Sequence, residues 1–409
     1  MLSEKVKQGI KDVYGESQYE MQVERYESIA NTFEKDFGKD YIFVSSPGRI
    51  EICGNHTDHQ HGRVLGAAID LDTVSAVKAT GDDKVVVDSL GYSPVAFSSE
   101  KLDKRDEEIG TSTALTKGVM KYLKDKGYKV GGFVAKTQSR VFKGAGVSSS
   151  ASYEVLIGKI ISVLFNDDKI SPMELIFAGH FAETEYFGKP CGLLDQSMIA
   201  LGGVNYMDFL NPENPEIENM KPDFSEYGIM LINTGGDHSD LTHCYADVKI
   251  EMNSVAKYFG HEVLREVDEK EFFDSLGELS KNVSGRAILR AEHFFSENQR
   301  VKVAAEGLKS GNKEIFFDCL NASGDSSYRL LQNCYVGGEV AQRIPLALFM
   351  ASKMQGVKAR RVHGGGFAGT VLIIAEKQGL ENLKQKAVSV FGDENVYCLN
   401  IRNYGAVSF

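Results

Sequence analysis

The stretch Lys143-Gly-Ala-Gly-Val-Ser-Ser-Ser-Ala-Ser152 constrains the chain more than any other. It lies between an apolar segment of strand character, 132–137, and a long helix-like run, 151–165. A strand, a glycine loop and a helix in that order gather unpaired N–H groups and the positive end of a helix dipole at the loop, and glycine lets a ligand approach the backbone. Three consecutive serines add hydroxyls able to bond phosphate oxygens or ligate Mg2+, and Arg140 and Lys143 form a local basic spot. A serine-capped helix after an ordinary turn has the same pattern, so the loop alone leaves both readings open. The loop lacks the Gly-Lys-Ser/Thr ending of a Walker loop and the G-x-G-x-x-G of a dinucleotide site.

A basic spot matters here because the chain carries 46 Lys and Arg against 57 Asp and Glu, a net charge of −11. Such a surface repels phosphate backbones, so no nucleic-acid partner is expected, and an anionic ligand needs helix N-termini, a metal ion or a few placed cations. The N-terminal residues lack an apolar core of signal-peptide length, and the apolar run Thr370-Val-Leu-Ile-Ile-Ala375 is too short to span a bilayer. Six scattered cysteines form no C-x-x-C pair, which fits reduced thiols and a cytoplasmic location. No membrane association is expected, and the chain is expected to be monomeric.

Helical spacing of Val23, Tyr26, Ile29, Ala30 and Phe33 ends at Gly38. Tyr41-Ile-Phe-Val-Ser45 predicts a buried strand stopped by a Ser46-Pro47-Gly48 turn, and strands are predicted at 64–79 and 85–89. Helices are predicted over 113–126 and from Pro172 to about Tyr186. The loop-like composition of Asn211-Pro-Glu-Asn-Pro215 and Lys221-Pro222 marks a domain change. Beyond it come a strand at 228–233, several helices between Cys244 and Met354, and a strand at 370–375. Strands and helices mix without a βαβ rhythm, so the fold class is α+β. The domains are expected at 1–205 and 206–395, with a C-terminal strand, 396–409, as a candidate to complete the first.

Three further segments carry chemistry. His363-Gly-Gly-Gly-Phe-Ala-Gly369 leads into the apolar strand, either a tight turn or a loop beside a phosphate site. Pro47-Gly-Arg-Ile-Glu-Ile-Cys-Gly-Asn-His-Thr-Asp-His-Gln-His-Gly62 concentrates Arg, Glu, Asn, His and Asp after a buried strand. His56, Asp58, His59 and His61 follow no common zinc spacing, so hydrogen bonding to a polyhydroxylated ligand fits better than a metal. Asp195, in Cys191-Gly-Leu-Leu-Asp-Gln196, is an acid beside apolar neighbours, which is costly unless it is paired, caps a helix or is functional.

Taken in order, Gly48-Arg-Ile-Glu-Ile-Cys-Gly-Asn-His-Thr-Asp58, Gly144-Ala-Gly-Val-Ser-Ser-Ser-Ala-Ser152, Cys191-Gly-Leu-Leu-Asp-Gln196 and Gly364-Gly-Gly-Phe-Ala-Gly369 resemble the galactokinases. Those belong to the wider family of galacto-, homoserine, mevalonate and phosphomevalonate kinases. The resemblance runs from about Phe33 to Phe409 and implies a ribosomal-S5-like N-terminal domain, a ferredoxin-like C-terminal domain and a site between them. It implies ATP and Mg2+ as cofactors and a small-molecule sugar as partner, phosphorylated at its anomeric hydroxyl. Gly144, Gly146, Ser148, Ser149 and Ser150 would cradle the ATP phosphates, and Ser150 and Glu183 would reach Mg2+. Asp195 would accept the sugar hydroxyl proton with Arg49 beside it, and Asn55, His56, Asp58, Gly192 and Tyr245 would contact the sugar.

The resemblance has departures. The usual galactokinase stretch reads Gly-Arg-x-Asn, two apolar residues, then Gly-Glu-His-Thr-Asp-Tyr, whereas Glu51, Asn55 and His59 stand here at the Asn, Glu and Tyr places. Ser323-Gly-Asp-Ser-Ser-Tyr328 also alters the family's Ser-His pattern. One alternative is a kinase of an N-acetylhexosamine, a uronic acid or a pentose. The other is a non-catalytic sugar sensor, which the intact Ser149, Ser150, Ala151, Glu183 and Asp195 disfavour.

Overall fold

The computed structural model describes residues 2–142, 146–235, 242–367 and 369–409. Strand β1 (Ile42–Cys53) does not stop at Ser46-Pro47-Gly48 as the turn chemistry suggested. It pairs along its length with β2 (Arg63–Ala79), and Pro47 falls at a register shift between the pairs Pro47↔Asp72 and Gly48↔Ile69. Proline cannot donate to a ladder, and an irregularity is where a strand tolerates that loss. The continuation carries Arg49 and Glu51 into the buried centre of the molecule.

The first sheet continues with β3 (Lys84–Ser89), β4 (Val95–Ser98), β5 (Phe133–Ser139), β6 (Val204–Asp208) and β7 (Glu216–Met220). β2 is long enough to pair with β5 along Thr73–Ala79 and with β6 along Arg63–Ala67. β6 crosses the boundary expected near residue 205, and the first sheet extends through β7 to Met220. A second, antiparallel sheet contains β8 (Tyr227–Asn233), β9 (Val357–His363), β10 (Thr370–Glu376) and β11 (Val396–Leu399), in the order β11-β8-β10-β9. The segment 396–409 is divided between the sheets: β11 pairs with β8, whereas Ile401 bridges Ile69 and β12 (Val407–Ser408) pairs with β1.

Apolar residues of the helices Ser112–Asp125, Ser149–Phe165, Pro172–Phe181 and Leu194–Leu201 bury one face of the first sheet. The helices Glu4–Tyr14 and Tyr19–Phe37 cover Phe43, Val74 and Ala76. A third core joins the sheets, with Ile50, Leu65 and Ile69 against Leu231, Leu372 and Ile374. The arrangement is a mixed α+β fold with two sheets. Buried Asp72 ties its ends together, accepting Arg25 Nη1 at 2.6 Å and Arg402 Nη1 at 3.1 Å. Among the described residues no helix is long and apolar enough to cross a membrane.

The helix expected from Pro172 to about Tyr186 keeps its α pitch only to Phe181 and passes into a π-helical turn, Ala182–Phe187. An extra residue per turn re-aims the side chains that follow. Here it accompanies a buried Glu183 side chain that accepts a hydrogen bond from Ser150 at the start of the helix Ser149–Phe165.

Candidate active site

Arg49 leaves β1 and meets Asp195, the second residue of the helix Leu194–Leu201, with Nε 2.8 Å from Oδ1. The other Asp195 oxygen accepts the hydroxyl of Ser148, and Arg49 Nη1 donates to the carbonyl of Gly146. Ser148 has a left-handed backbone, φ 63°, immediately before the helix Ser149–Phe165. That conformation is uncommon for serine and concentrates at functional sites. Burial would raise the Asp195 carboxyl, but Arg49 and the Ser148 hydroxyl outweigh it and hold it below the usual carboxylate range. Asp195 is therefore an ionised carboxylate at a helix N-terminus, with its side chain 27% exposed.

Asp58 approaches the same helix from the loop after β1. Its Oδ1 accepts the His59 amide at 2.9 Å and its Oδ2 the Leu194 amide at 3.4 Å. Burial, reinforced by the negative charge of Asp195, raises the Asp58 carboxyl to about 6. Gly192 permits this approach, since a Cβ there would lie 1.9 Å from Asp58 Oδ2. On the other side of Asp195, Ser150 Oγ donates to Glu183 Oε1 at 2.8 Å and Lys189 Nζ contacts that oxygen, also at 2.8 Å.

The glycine loop after β9 lies alongside, and its carbonyls are caught one by one. Gly364 O accepts Asn55 Nδ2 at 2.7 Å, Gly365 O accepts Asn333 Nδ2 at 3.1 Å and meets His56 Nε2 at 3.1 Å, and Gly366 O accepts the Tyr245 hydroxyl at 3.0 Å. Asn55, His56 and Tyr245 thus act on the loop in this structure. Asn55 departs furthest from the sugar-contacting place expected for it. Its Nδ2 also donates to Glu51 Oε1 at 2.9 Å, and its Oδ1 accepts Asn333 Nδ2 at 2.7 Å and Ser327 Oγ at 3.3 Å. Two amide hydrogens and two lone pairs are the full capacity of an asparagine side chain, so none is left for a sugar.

Behind this loop lies a polar network that sequence reasoning missed. Glu51 pairs with fully buried Arg361 at 2.7 Å, and burial, only partly offset by Arg361 and Arg49, brings its carboxyl up to about 7. Glu297 accepts the Gly54 amide at 2.8 Å and Ser323 Oγ at 2.5 Å. Burial opposes its charge, but His293, Arg300 and Arg361 hold it ionised, at about 2. His293 joins the Asn55 carbonyl at 2.9 Å to Ser326 Oγ at 2.8 Å. The altered segment Ser323–Tyr328 therefore supplies this network with Ser323, Ser326 and Ser327. Its signal in the sequence was the departure of this segment from the family's Ser-His pattern.

Among the described residues no three His, Cys, Asp or Glu side chains form a metal-binding group. Gly144 lies outside the described residues, as do Lys143, Ala145 and Ala368. Ser149 opens the helix after the loop, and one guanidinium nitrogen of Arg140, Nη1, is buried without a hydrogen-bond partner among the described residues.

The galactokinase of Limosilactobacillus fermentum is 31% identical to this chain over 384 residues, covering 92% of this chain and 95% of the relative. The chain belongs to the galactokinase family. The galactokinase of Clostridium tetani is similar at 32% identity, over 87% of this chain and 91% of its own length. A galactokinase galactose-binding signature matches residues 31–79, which hold β1, the Asp58 loop and β2, and the N-terminal domain of GHMP kinases matches residues 114–203. The crystal structure of Lactococcus lactis galactokinase complexed with galactose superposes with a TM-score of 0.82 at 26% identity, covering 94% of this chain and 99% of that one. Like other members of its family, this chain is an ATP-dependent sugar kinase.

Proposed function

We propose that this galactokinase-family chain transfers the γ-phosphoryl group of ATP to the anomeric hydroxyl of galactose, with Asp195 as the group that takes or orients the hydroxyl proton. The observation that carries the reading is the Arg49–Asp195–Ser148 constellation beside the Gly146–Ser150 loop. Arg49 keeps Asp195 ionised and bonds the loop carbonyl, so one cation sets both the acceptor-side carboxylate and the phosphate-side backbone. Asp58, packed on Gly192 beside the start of the Asp195 helix, would accept sugar hydroxyls. Asn55, His56 and Tyr245 act one step back, by fixing the glycine loop.

Ser150 and Glu183 fit a Mg2+ ion, because both present hard oxygen donors and Mg2+ at nucleotide sites takes one or two carboxylates with phosphate oxygens. When bound, such an ion neutralises charge on the transferring phosphoryl group. Phosphoryl transfer asks little covalent work of a protein, so the remaining residues position and neutralise.

The test is a coupled ADP-release assay over a panel of free sugars with Mg-ATP, repeated with Asp195→Asn. Galactose should be turned over, and the variant should lose ~10²–10⁴-fold in kcat while binding both substrates. Turnover of another sugar but not galactose would replace the substrate, and a fully active variant would remove Asp195 from the mechanism.

A further inference from the structure

Lys189 stands where the family resemblance gave no role. Its Nζ lies 2.8 Å from Glu183 Oε1, the oxygen that also accepts Ser150 Oγ at 2.8 Å. The two partners differ sharply in freedom: the Glu183 side chain is 1% exposed and that of Lys189 is 53% exposed. A four-carbon stem can swing away from such a contact at small cost, whereas the buried carboxylate cannot follow. The backbone aims the side chain at this oxygen. Gly188, with φ 83° in the left-handed region, ends the π-helical turn, and the Lys189 amide then bonds the Glu183 carbonyl at 3.0 Å.

The rest of the cluster is fixed. Gln196 Nε2 holds Glu183 Oε2 and Glu154 Oε2, each at 2.9 Å. Glu154 is fully buried, its Oε1 has no hydrogen-bond partner among the described residues, and burial next to Glu183 pushes its carboxyl well up. The ammonium occupies Glu183 Oε1, and a second cation on that oxygen has to displace it. Lys189 also helps hold Asp195 ionised, so its charge already reaches the transfer site.

We propose that Lys189 is a placeholder cation. It neutralises Glu183 in the nucleotide-free protein, yields Glu183 Oε1 to the divalent ion that arrives with ATP, and then sets its ammonium on the phosphates beside Asp195. The proposal rests on reading Ser150 and Glu183 as the metal site. It assigns Lys189 two opposed effects, against the bare metal ion and in favour of the metal–nucleotide complex.

The test needs no turnover. Mn2+ binding to nucleotide-free protein is followed by loss of the free-ion paramagnetic resonance signal, and binding of Mg2+ with the non-hydrolysable analogue AMP-PNP by calorimetry. Lys189→Met should bind Mn2+ about tenfold more tightly and the Mg–AMP-PNP complex about tenfold more weakly, the scale of one charge-assisted hydrogen bond. Lys189→Arg should recover the nucleotide affinity. A side chain that merely supports the turn would move both affinities the same way, and that outcome overturns the proposal. Glu183→Gln separates the two layers. If it weakens Mn2+ binding while Lys189→Met leaves it unchanged, the placeholder role alone fails. If Glu183→Gln leaves Mn2+ binding unchanged, the metal site fails and the proposal falls with it.

Discussion

Replacing Asn55 by Glu sets a second carboxylate where the Asn55 amide now donates to Glu51 Oε1 at 2.9 Å. Two full charges at that separation repel by about 5–6 kcal/mol at an effective dielectric constant of about 20. The protein has a cheaper route, because burial already brings the Glu51 carboxyl up to about 7. Holding a proton there at pH 8 costs about 1.4 kcal/mol, and the Gly364 carbonyl loses the donor now 2.7 Å away, for about 1–3 kcal/mol more. The expected loss of stability is therefore about 2–4 kcal/mol at pH 8 and about 1–3 kcal/mol at pH 5, the proton accounting for the difference. The sign follows from linkage: a carboxyl raised in the folded state costs nothing below its unfolded value and costs more as pH climbs through its folded value. Glu51→Asn alone should cost about 3–5 kcal/mol at pH 8, where Glu51 is ionised, because it leaves fully buried Arg361 without its carboxylate. The double variant, which keeps one acid and one amide, should lose less than the two singles combined. Denaturant unfolding of all four proteins at pH 5 and pH 8 gives these values. A stable Asn55→Glu protein at pH 8, or a deficit that does not change with pH, would refute the account of this network.

Three other perturbations address separate parts of the molecule. With Asp58 titrating at about 6, kcat/KM for galactose should fall below that pH; Asp58→Asn should remove the acid limb and Glu51→Gln should keep it, as pH profiles of the three proteins will show. Gly192→Ala forces a methyl group against Asp58 Oδ2, so KM for the sugar should rise by about tenfold or more with little change in unfolding midpoint, and unchanged kinetics would remove Asp58 from the sugar site. Asp72→Ala leaves Arg25 and Arg402 as buried, unpaired cations and should cost about 3–5 kcal/mol in denaturant unfolding.

The glycine loops and Asp195 stood out because each sits in a short run of particular residue types. Strands β2, β3, β8 and β10 were legible because apolar and β-branched residues gather there. The course of β1 was not, since Pro47 resembles a turn until its neighbour β2 is present to absorb it as a register shift. The partners of Asn55 were hidden for a related reason. Its neighbours in sequence point to a sugar site, but Glu51, Ser327, Asn333 and Gly364 meet all its hydrogen-bonding capacity.

By itself, then, the sequence determined the family and the α+β class, and its contiguous motifs singled out the glycine–serine loop and Asp195 as candidates. Tertiary structure alone decided that Ser148 turns to Asp195, that Lys189 lies on Glu183, and that Glu51 pairs with Arg361, 310 residues away. The physical reason is that a buried polar group must find its partners wherever the fold brings them. Periodicity reports which face of a strand or helix is apolar, but the chain that supplies the missing donor or acceptor is chosen by packing.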